Sequence, residues 1–185
     1  MIHEGSTERL ILRPLEMADA EQIQELFPHW EIVKYMLRKI PWPYPADGAA
    51  TFLKDVAIPL AECDEAWHWS LRLRSDPDQL IGVINLRRDK ETNRGFWLGL
   101  PWHGHGYMSE AAAWANDYWF DTLGFPTLRV AKAVGNMASR RISEKQGMRV
   151  VGIEERDYVA GRMPAEIWEI AADEWRAWKS QRLIG

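Results

Sequence analysis

Two stretches of this chain hold residues whose types and spacing suit chemistry. In the first, Gly95–Ala111 (GFWLGLPWHGHGYMSEA), an apolar run leads into a loop with Gly104 and Gly106 and then into helix formers. Glycines at a strand-to-helix turn let backbone N–H groups approach a ligand without Cβ clashes. The helix start adds unpaired donors and the positive end of its dipole, which suits a phosphate group. A G-x-G pair taken alone marks no more than a turn that needs positive φ. The second stretch, Val134–Met148 (VGNMASRRISEKQGM), sets Asn136 before a helix and Ser139 one turn inside it. Asn136 reads as an N-cap, a role compatible with a functional one. Arg140 and Arg141 read first as a wet helix face and second as anion ligands.

Other chemistries fail on these residues. A Walker loop ends in Gly-Lys-Ser/Thr, absent here, and a dinucleotide fingerprint needs Gly or Ala where Ser109 stands. His103 and His105 lie two apart, and no local cysteine or acid completes a zinc set, so no metal is expected. The single cysteine, Cys63, excludes an internal disulfide framework.

The elements that must position these residues follow from length and pattern. The 185 residues suit one domain, and 23 Lys and Arg against 27 Asp and Glu leave a net charge of −4. That mild acidity argues against general nucleic-acid coating. At 46% hydrophobic and 27% charged the composition is globular, and no window holds the ~18 consecutive apolar residues of a membrane span. Glu4, Glu8 and Arg9 interrupt any secretory-type apolar stretch, so a cytoplasmic protein is expected. The 11 tryptophans read mainly as core, with a minority left for a substrate pocket or a dimer face.

Alternation predicts strands over Thr7–Leu15, Trp67–Leu73, Leu80–Leu86, Gly95–Leu100 and Leu128–Val134, with Arg149–Tyr158 and Ala165–Ala172 as a closing pair. Apolar spacing predicts helices over Asp19–Phe27 and Trp30–Leu37, another capped by Asp47, and one from Gly106 to about Leu123. Further helices span Met137–Gln146, stopped by Gly147, and Asp173–Arg182. Asp76-Pro77-Asp78 reads as a turn, and the short gaps around it connect antiparallel neighbours. The order describes an α/β sheet with helices on its faces. The Ala165–Ala172 strand, near the chain end, is expected to offer apolar surface for a homodimer.

Taken together, Gly95-Phe96-Trp97-Leu98, Gly104-His105-Gly106-Tyr107-Met108-Ser109-Glu110-Ala111, Asn136-Met137-Ala138-Ser139 and Glu144-Lys145-Gln146-Gly147-Met148 make a recognisable set. Through them the chain resembles the GCN5-related N-acetyltransferase superfamily, above all its ribosomal-protein N-terminal acetyltransferase branch. The opening Thr7–Pro14 and Ile81–Leu86 are also similar to that branch. The resemblance implies a single α/β domain over 1–185, with a mixed, mostly antiparallel sheet, a splayed parallel central pair and flanking helices. Acceptor-side helices would occupy about 19–62, an acetyl-CoA-binding core 67–148, and closing strands and a helix 149–185.

The resemblance also assigns roles. The pantetheine arm of acetyl-CoA would enter between Phe96–Leu100 and Leu128–Val134, on the free backbone of Leu98, Gly99 and Leu100. Its pyrophosphate would rest on the loop of His103, Gly104, His105, Gly106, Tyr107 and Met108, with Asn136 and Arg141 as further cofactor contacts. Asn136 and Ser139 would serve catalysis, Ser139 by donating to the departing thiolate. Departures from the pattern fall at Pro101, at Ser143 in place of a general-acid tyrosine, and at Asn93 and Arg94, where branch members often carry a glutamate. The general base is therefore unassigned. Glu65 and His68 are candidates because they flank a central strand, against readings as a surface acid and an ordinary strand histidine. The implied activity is acetyl transfer from acetyl-CoA to a primary amine, such as a protein N-terminus, by direct ternary-complex transfer. The alternatives are a non-catalytic acyl-CoA-binding or sensing module and a small-molecule amine acetyltransferase. Acceptor specificity would sit in Trp30–Cys63 and Tyr158–Pro164.

Overall fold

The computed structural model describes residues 2–182, so the outermost positions of the expected 1–185 domain lie outside it. Strands β1 (Gly5–Ser6) and β2 (Leu10–Pro14) lead into helices α1 (Ala20–Leu26), α2 (Trp30–Val33), α3 (Gly48–Phe52) and α4 (Ile58–Glu62). Next come β3 (Ala66–Leu73), β4 (Asp76–Arg87), β5 (Arg94–Leu98), α5 (Tyr107–Asp117) and β6 (Thr127–Ala133). The described chain closes with α6 (Met137–Lys145), β7 (Arg149–Tyr158), β8 (Gly161–Ala171) and α7 (Ala172–Arg182). The strands form two antiparallel sheets, ordered β1-β2-β3-β4-β5 and β6-β8-β7. This is the mixed, mostly antiparallel α/β fold that the sequence implies.

β3 is buried along nearly its whole length, which explains its mixed sequence AWHWSLRL. Trp67, Trp69 and Leu71 join one core with Ala111, Ala112 and Ala115 of α5, and Trp69 meets the edges of Trp114 and Tyr118 at 5.1 and 4.9 Å. On the opposite face, buried Arg72 bonds Ser70 Oγ at 3.3 Å and pairs with buried Asp19 at 2.5 Å. A second core of Ile23, Phe27, Ile32, Val33, Leu53 and Val83 holds the helices between β2 and β3 on that face. The tryptophans are core residues in the main, with Trp67, Trp69, Trp119, Trp168 and Trp175 buried. Trp30 and Trp42 are exposed.

Three expectations need correction. The Asp76-Pro77-Asp78 turn is the start of β4; Leu73 pairs with Asp76, so the hairpin turns on Arg74 and Ser75. Arg72 makes this possible by bonding the carbonyls of Pro77 and Asp78 (3.3 and 2.6 Å) where the register shifts. The Trp30–Leu37 helix stops at Val33, and Leu37 instead forms an antiparallel bridge to Tyr158. β8 offers no apolar surface: it is the middle strand of its sheet, and Ala165, Ile167, Trp168 and Ile170 are buried. Exposed apolar side chains of that sheet lie on the β7 edge, at Val150, Val151 and Ile153.

Candidate active site

The two sheets meet at one end of β5. Asn93 N–H donates to Arg129 O (2.7 Å), Arg129 N–H donates to Asn93 Oδ1 (2.8 Å), and Ala131 N–H donates to Thr92 Oγ1 (2.7 Å). Beyond this junction β5 and β6 belong to different sheets and share no ladder. They run the same way, since Asn93 meets Arg129 and, three residues further along each strand, the Phe96 ring lies 5.1 Å from Lys132 Nζ. The expected splayed pair is therefore Arg94–Leu98 beside Thr127–Ala133. Gly99 N–H bonds Ile81 O, and alternation along an antiparallel ladder then turns the backbone groups of Phe96 and Leu98 toward the open side. Of these, Leu98 O lies 2.7 Å from His103 Nε2, which must carry the proton there.

The loop at the mouth of the gap has the predicted glycine geometry. Gly104 and Gly106 have φ of 80° and 81°, and Gly106 is the N-cap of α5. A Cβ on Gly104 would meet nothing within 4 Å, so the concavity of the loop lies open. The N–H groups of Gly104, His105 and Gly106 have no acceptor among the described residues, and Tyr107 and Met108 begin the helix, where N–H groups lack intrahelical partners. Five consecutive amides thus fit an anionic phosphate group such as the pyrophosphate of a nucleotide thioester. Met108 contributes only its backbone, because its side chain is buried in the core.

Arg9 braces this loop and was not singled out from the sequence. Its Nη1 donates to His105 O (2.9 Å), its Nε to Glu110 Oε2 (2.7 Å), and its guanidinium lies 4.6 Å from the Tyr107 ring. The hydrogen bond that Arg9 donates to Glu110 raises the arginine's pKa. Burial pushes the Glu110 carboxyl up, but bonds from Thr7, the Arg9 amide and the Arg9 guanidinium outweigh it and hold the group below its usual range. The arginine's place three residues before Leu12 in a strand-like run carries no signal of this contact.

After β6, Asn136 caps α6 as predicted, its Oδ1 accepting from Ser139 N–H at 3.2 Å. Ser139 is not a solvated helix residue: it is buried, and its Oγ accepts from Lys132 Nζ at 2.6 Å. Burial, then the nearby charge of Arg94, pushes the Lys132 ammonium well below its usual range. Burial lowers Arg94 to about 9. Its Nη1 bonds Asn116 Oδ1, Gln146 Oε1 (2.9 Å) and Ala112 O (3.3 Å), all neutral acceptors. Its Nε and Nη2, together with Ser143 Oγ and Gln146 Nε2, are buried without partners among the described residues. Parity offered a sign of Lys132, which shares the inward phase of Leu128 and Val130 in LRVAKAV.

Other expected residues stand elsewhere. Ala66 pairs with Arg87 and Leu86 with Arg94, so exposed Glu65 lies past the closed end of the gap, its carbonyl bonded by Arg88 N–H (2.8 Å). His68 opposes Asn85, two strands from the gap, and packs against Phe52 at 5.6 Å. Burial, with Arg87 and Lys39 nearby, lowers it to about 4, so it is neutral at pH 7. Arg141 is exposed on α6, while Arg140 is taken by Glu166 (2.8 and 3.0 Å). Leu100 and Gly99 continue β5 into a 3-10 turn over Leu100–Trp102. The two segments expected to select the acceptor come together: Val159 N–H bonds Met36 O, Ala160 N–H bonds Lys34 O, and Arg38 N–H bonds Asp157 O. Tyr35 Oη, in the same strip, donates to Gly135 O at 3.0 Å, beside Asn136.

Among the described residues no group of three or more His, Cys, Asp or Glu side chains could hold a metal ion, and no helix is long and apolar enough to cross a membrane. A family model for the acetyltransferase (GNAT) domain matches residues 9–149. The chain belongs to that family and is an N-acetyltransferase. It is 28% identical over 160 residues to a Bacillus subtilis protein named Probable N-acetyltransferase YjcK, covering 80% of this chain and 84% of that protein. Among solved structures it is similar in fold to the ribosomal-protein-S5-alanine acetyltransferase of Vibrio fischeri, with TM-score 0.78 at 15% identity over 94% of this chain and 99% of that one. It is also similar to RimL, a ribosomal L7/L12 alpha-N-protein acetyltransferase in complex with coenzyme A, with TM-score 0.79 at 14% identity over 93% and 99%.

Proposed function

We propose that this N-acetyltransferase takes acetyl-CoA as its donor and acetylates the α-amine of a protein N-terminus in a direct ternary complex. The observation that carries this reading is the run of free amides from Gly104 to Met108 just past the end of β5, whose unpaired backbone groups face the diverging β6. Buried Ser139 is tied to the same place through Lys132, whose Nζ lies 5.1 Å from the Phe96 ring. The bound thioester supplies an activated acetyl group. The amides of Gly104 to Met108 hold the pyrophosphate, with Arg9 as a nearby positive charge and Arg141 as an outer anion contact. Phe96 N–H, Phe96 C=O and Leu98 N–H remain for the pantetheine amides and for an oxyanion, Leu98 O being occupied by His103. Asn136 orients the first turn of α6, and Ser139 gives a proton to the leaving sulfur.

The acceptor enters along the strip formed by residues 34–38 and 157–160. An α-amine, with pKa ~7.7–8.0, is partly neutral at pH 7, so this reading needs no dedicated base. Ribosomal-protein acetyltransferases among the proteins of similar fold support a peptide acceptor. The test is calorimetry with CoA, followed by thiol release from acetyl-CoA with a panel of peptides and small amines. Release with peptides is expected. Release with small amines alone would replace the acceptor, and binding without release would leave an acyl-CoA-binding module. The chain is further proposed to self-associate through the β7 edge at Val150, Val151 and Ile153; a monomeric mass in light scattering at micromolar concentration would contradict this.

A further inference from the structure

We infer that Lys132 is the proton reserve of Ser139, a positioning residue that holds the serine hydroxyl toward the leaving sulfur and restores its proton. This inference rests on the acetyl-CoA reading above and adds to it a residue that the sequence motifs do not contain.

The geometry carries the argument. Lys132 Nζ lies 2.6 Å from Ser139 Oγ, and the two side chains are 5% and 9% exposed. Because the ammonium donates, it occupies a lone pair of the hydroxyl oxygen and directs the serine's own hydrogen elsewhere. The Phe96 ring, 5.1 Å from Nζ, sets this pair beside β5. The charges around Lys132 leave it uncompensated. Arg94 approaches from β5 as a second cation bonded only to neutral acceptors. Glu166, opposite Lys132 on β8, is committed to Arg140 of α6 and to Trp168 Nε1 (3.1 Å). Burying two cations without a carboxylate costs stability. That cost has a use where a negative charge develops, which in this gap is the sulfur.

In the transfer, the amine nitrogen forms the new C–N bond, and the C–S bond breaks with its electron pair left on sulfur. Ser139 Oγ–H gives that sulfur a proton, Lys132 Nζ–H returns one to Oγ, and the proton lost by the amine passes to water. An acid works best when its pKa lies near the operating pH. Burial moves Lys132 in that direction, from a range where an ammonium is a poor donor.

The test reads turnover against pH. Thiol release from acetyl-CoA by the full chain is followed with the peptide acceptor, from neutral to alkaline pH. On the wild type kcat should fall as pH rises and Lys132 loses its proton. Lys132→Met should have a kcat about tenfold lower near pH 7 and should lack that alkaline fall, while the KM for acetyl-CoA stays near the wild type. Lys132→Arg, whose guanidinium gives up no proton in this range, should also lack the alkaline fall. Lys132→Met removes a buried charge and should fold; Lys132→Gln takes its place if it does not. Equal pH profiles of kcat for the wild type and the folded uncharged variant overturn the inference about Lys132 and leave the acetyl-CoA reading standing. Absence of CoA binding to the wild type in calorimetry overturns both.

Discussion

Asn93 and Arg129 join the two sheets through a reciprocal pair of hydrogen bonds, 2.7 and 2.8 Å long, and the strands that follow them diverge. The Asn93 side chain also donates to Asp89 O at 2.5 Å, so one buried amide anchors both the β4–β5 connection and the base of the gap. Asn93→Ala leaves the Arg129 N–H unsatisfied, which should cost ~1–3 kcal/mol in urea denaturation. It should also weaken CoA binding, because the opening of the gap depends on where its hinge is fixed. Wild-type stability together with wild-type affinity would show that the junction is held elsewhere.

The glycine loop makes a second prediction. Gly104 and Gly106 both have positive φ, so valine at each costs roughly 1–2 kcal/mol of backbone strain per position. At Gly104 the new side chain enters open space, and at Gly106 its Cβ stands 3.4 Å from Arg9 Nη2. The Gly104→Val, Gly106→Val double variant should remain folded by circular dichroism, with a lower Tm. Its CoA affinity should fall more than about tenfold as the amides lose access to the phosphates. Unchanged affinity in calorimetry would remove the loop from the binding site.

How far the sequence reveals this site depends on what kind of contact is involved. The Gly104–Gly106 loop, the Asn136 cap and the Gly147 stop were legible because each is a local rule of backbone conformation, and Gly147 duly has φ of 73°. The hairpins were legible from alternation. Arg9 and Glu110 lie 101 residues apart, Lys132 reaches Ser139 across a strand–helix turn, and Arg94 bonds Gln146 52 residues away. Such pairings come from packing, which periodicity does not encode. The Asp76–Asp78 error has the same origin: turn-forming residues were drawn into β4 by a guanidinium from the neighbouring strand.

His68 makes a pH-dependent prediction. Its folded pKa is about 4, against an ordinary value of 6.5, because burial disfavours the imidazolium and Arg87 and Lys39 repel it. The unfolded chain therefore binds the proton first as pH falls. The stability tied to neutral His68 is fully present above 6.5 and is lost progressively between 6.5 and about 4. A shift of this size corresponds to ~3 kcal/mol. His68→Gln should flatten the dependence of urea stability on pH within that window. Equal slopes for the two proteins would mean that the ring reaches water or a partner when protonated.

Ser139 separates a catalytic role from a structural one. Ser139→Ala deletes the acceptor of Lys132 Nζ and leaves a buried amine unpartnered, so a stability loss of ~1–3 kcal/mol is expected on structural grounds alone. The cap geometry should survive, because Asn136 Oδ1 bonds the backbone N–H of residue 139 and not its hydroxyl. CoA affinity should therefore change little. Turnover is the discriminating readout. A general acid typically contributes ~10²–10⁴-fold, but a hydroxyl is a weak one and a thiol is a tolerable leaving group. The expected fall in kcat is accordingly about 10–100-fold. Ser139→Thr, which keeps the hydroxyl, should recover part of it. A folded Ser139→Ala variant with reduced Tm and wild-type kcat would make this residue a support for α6 and would leave the departing thiolate to solvent.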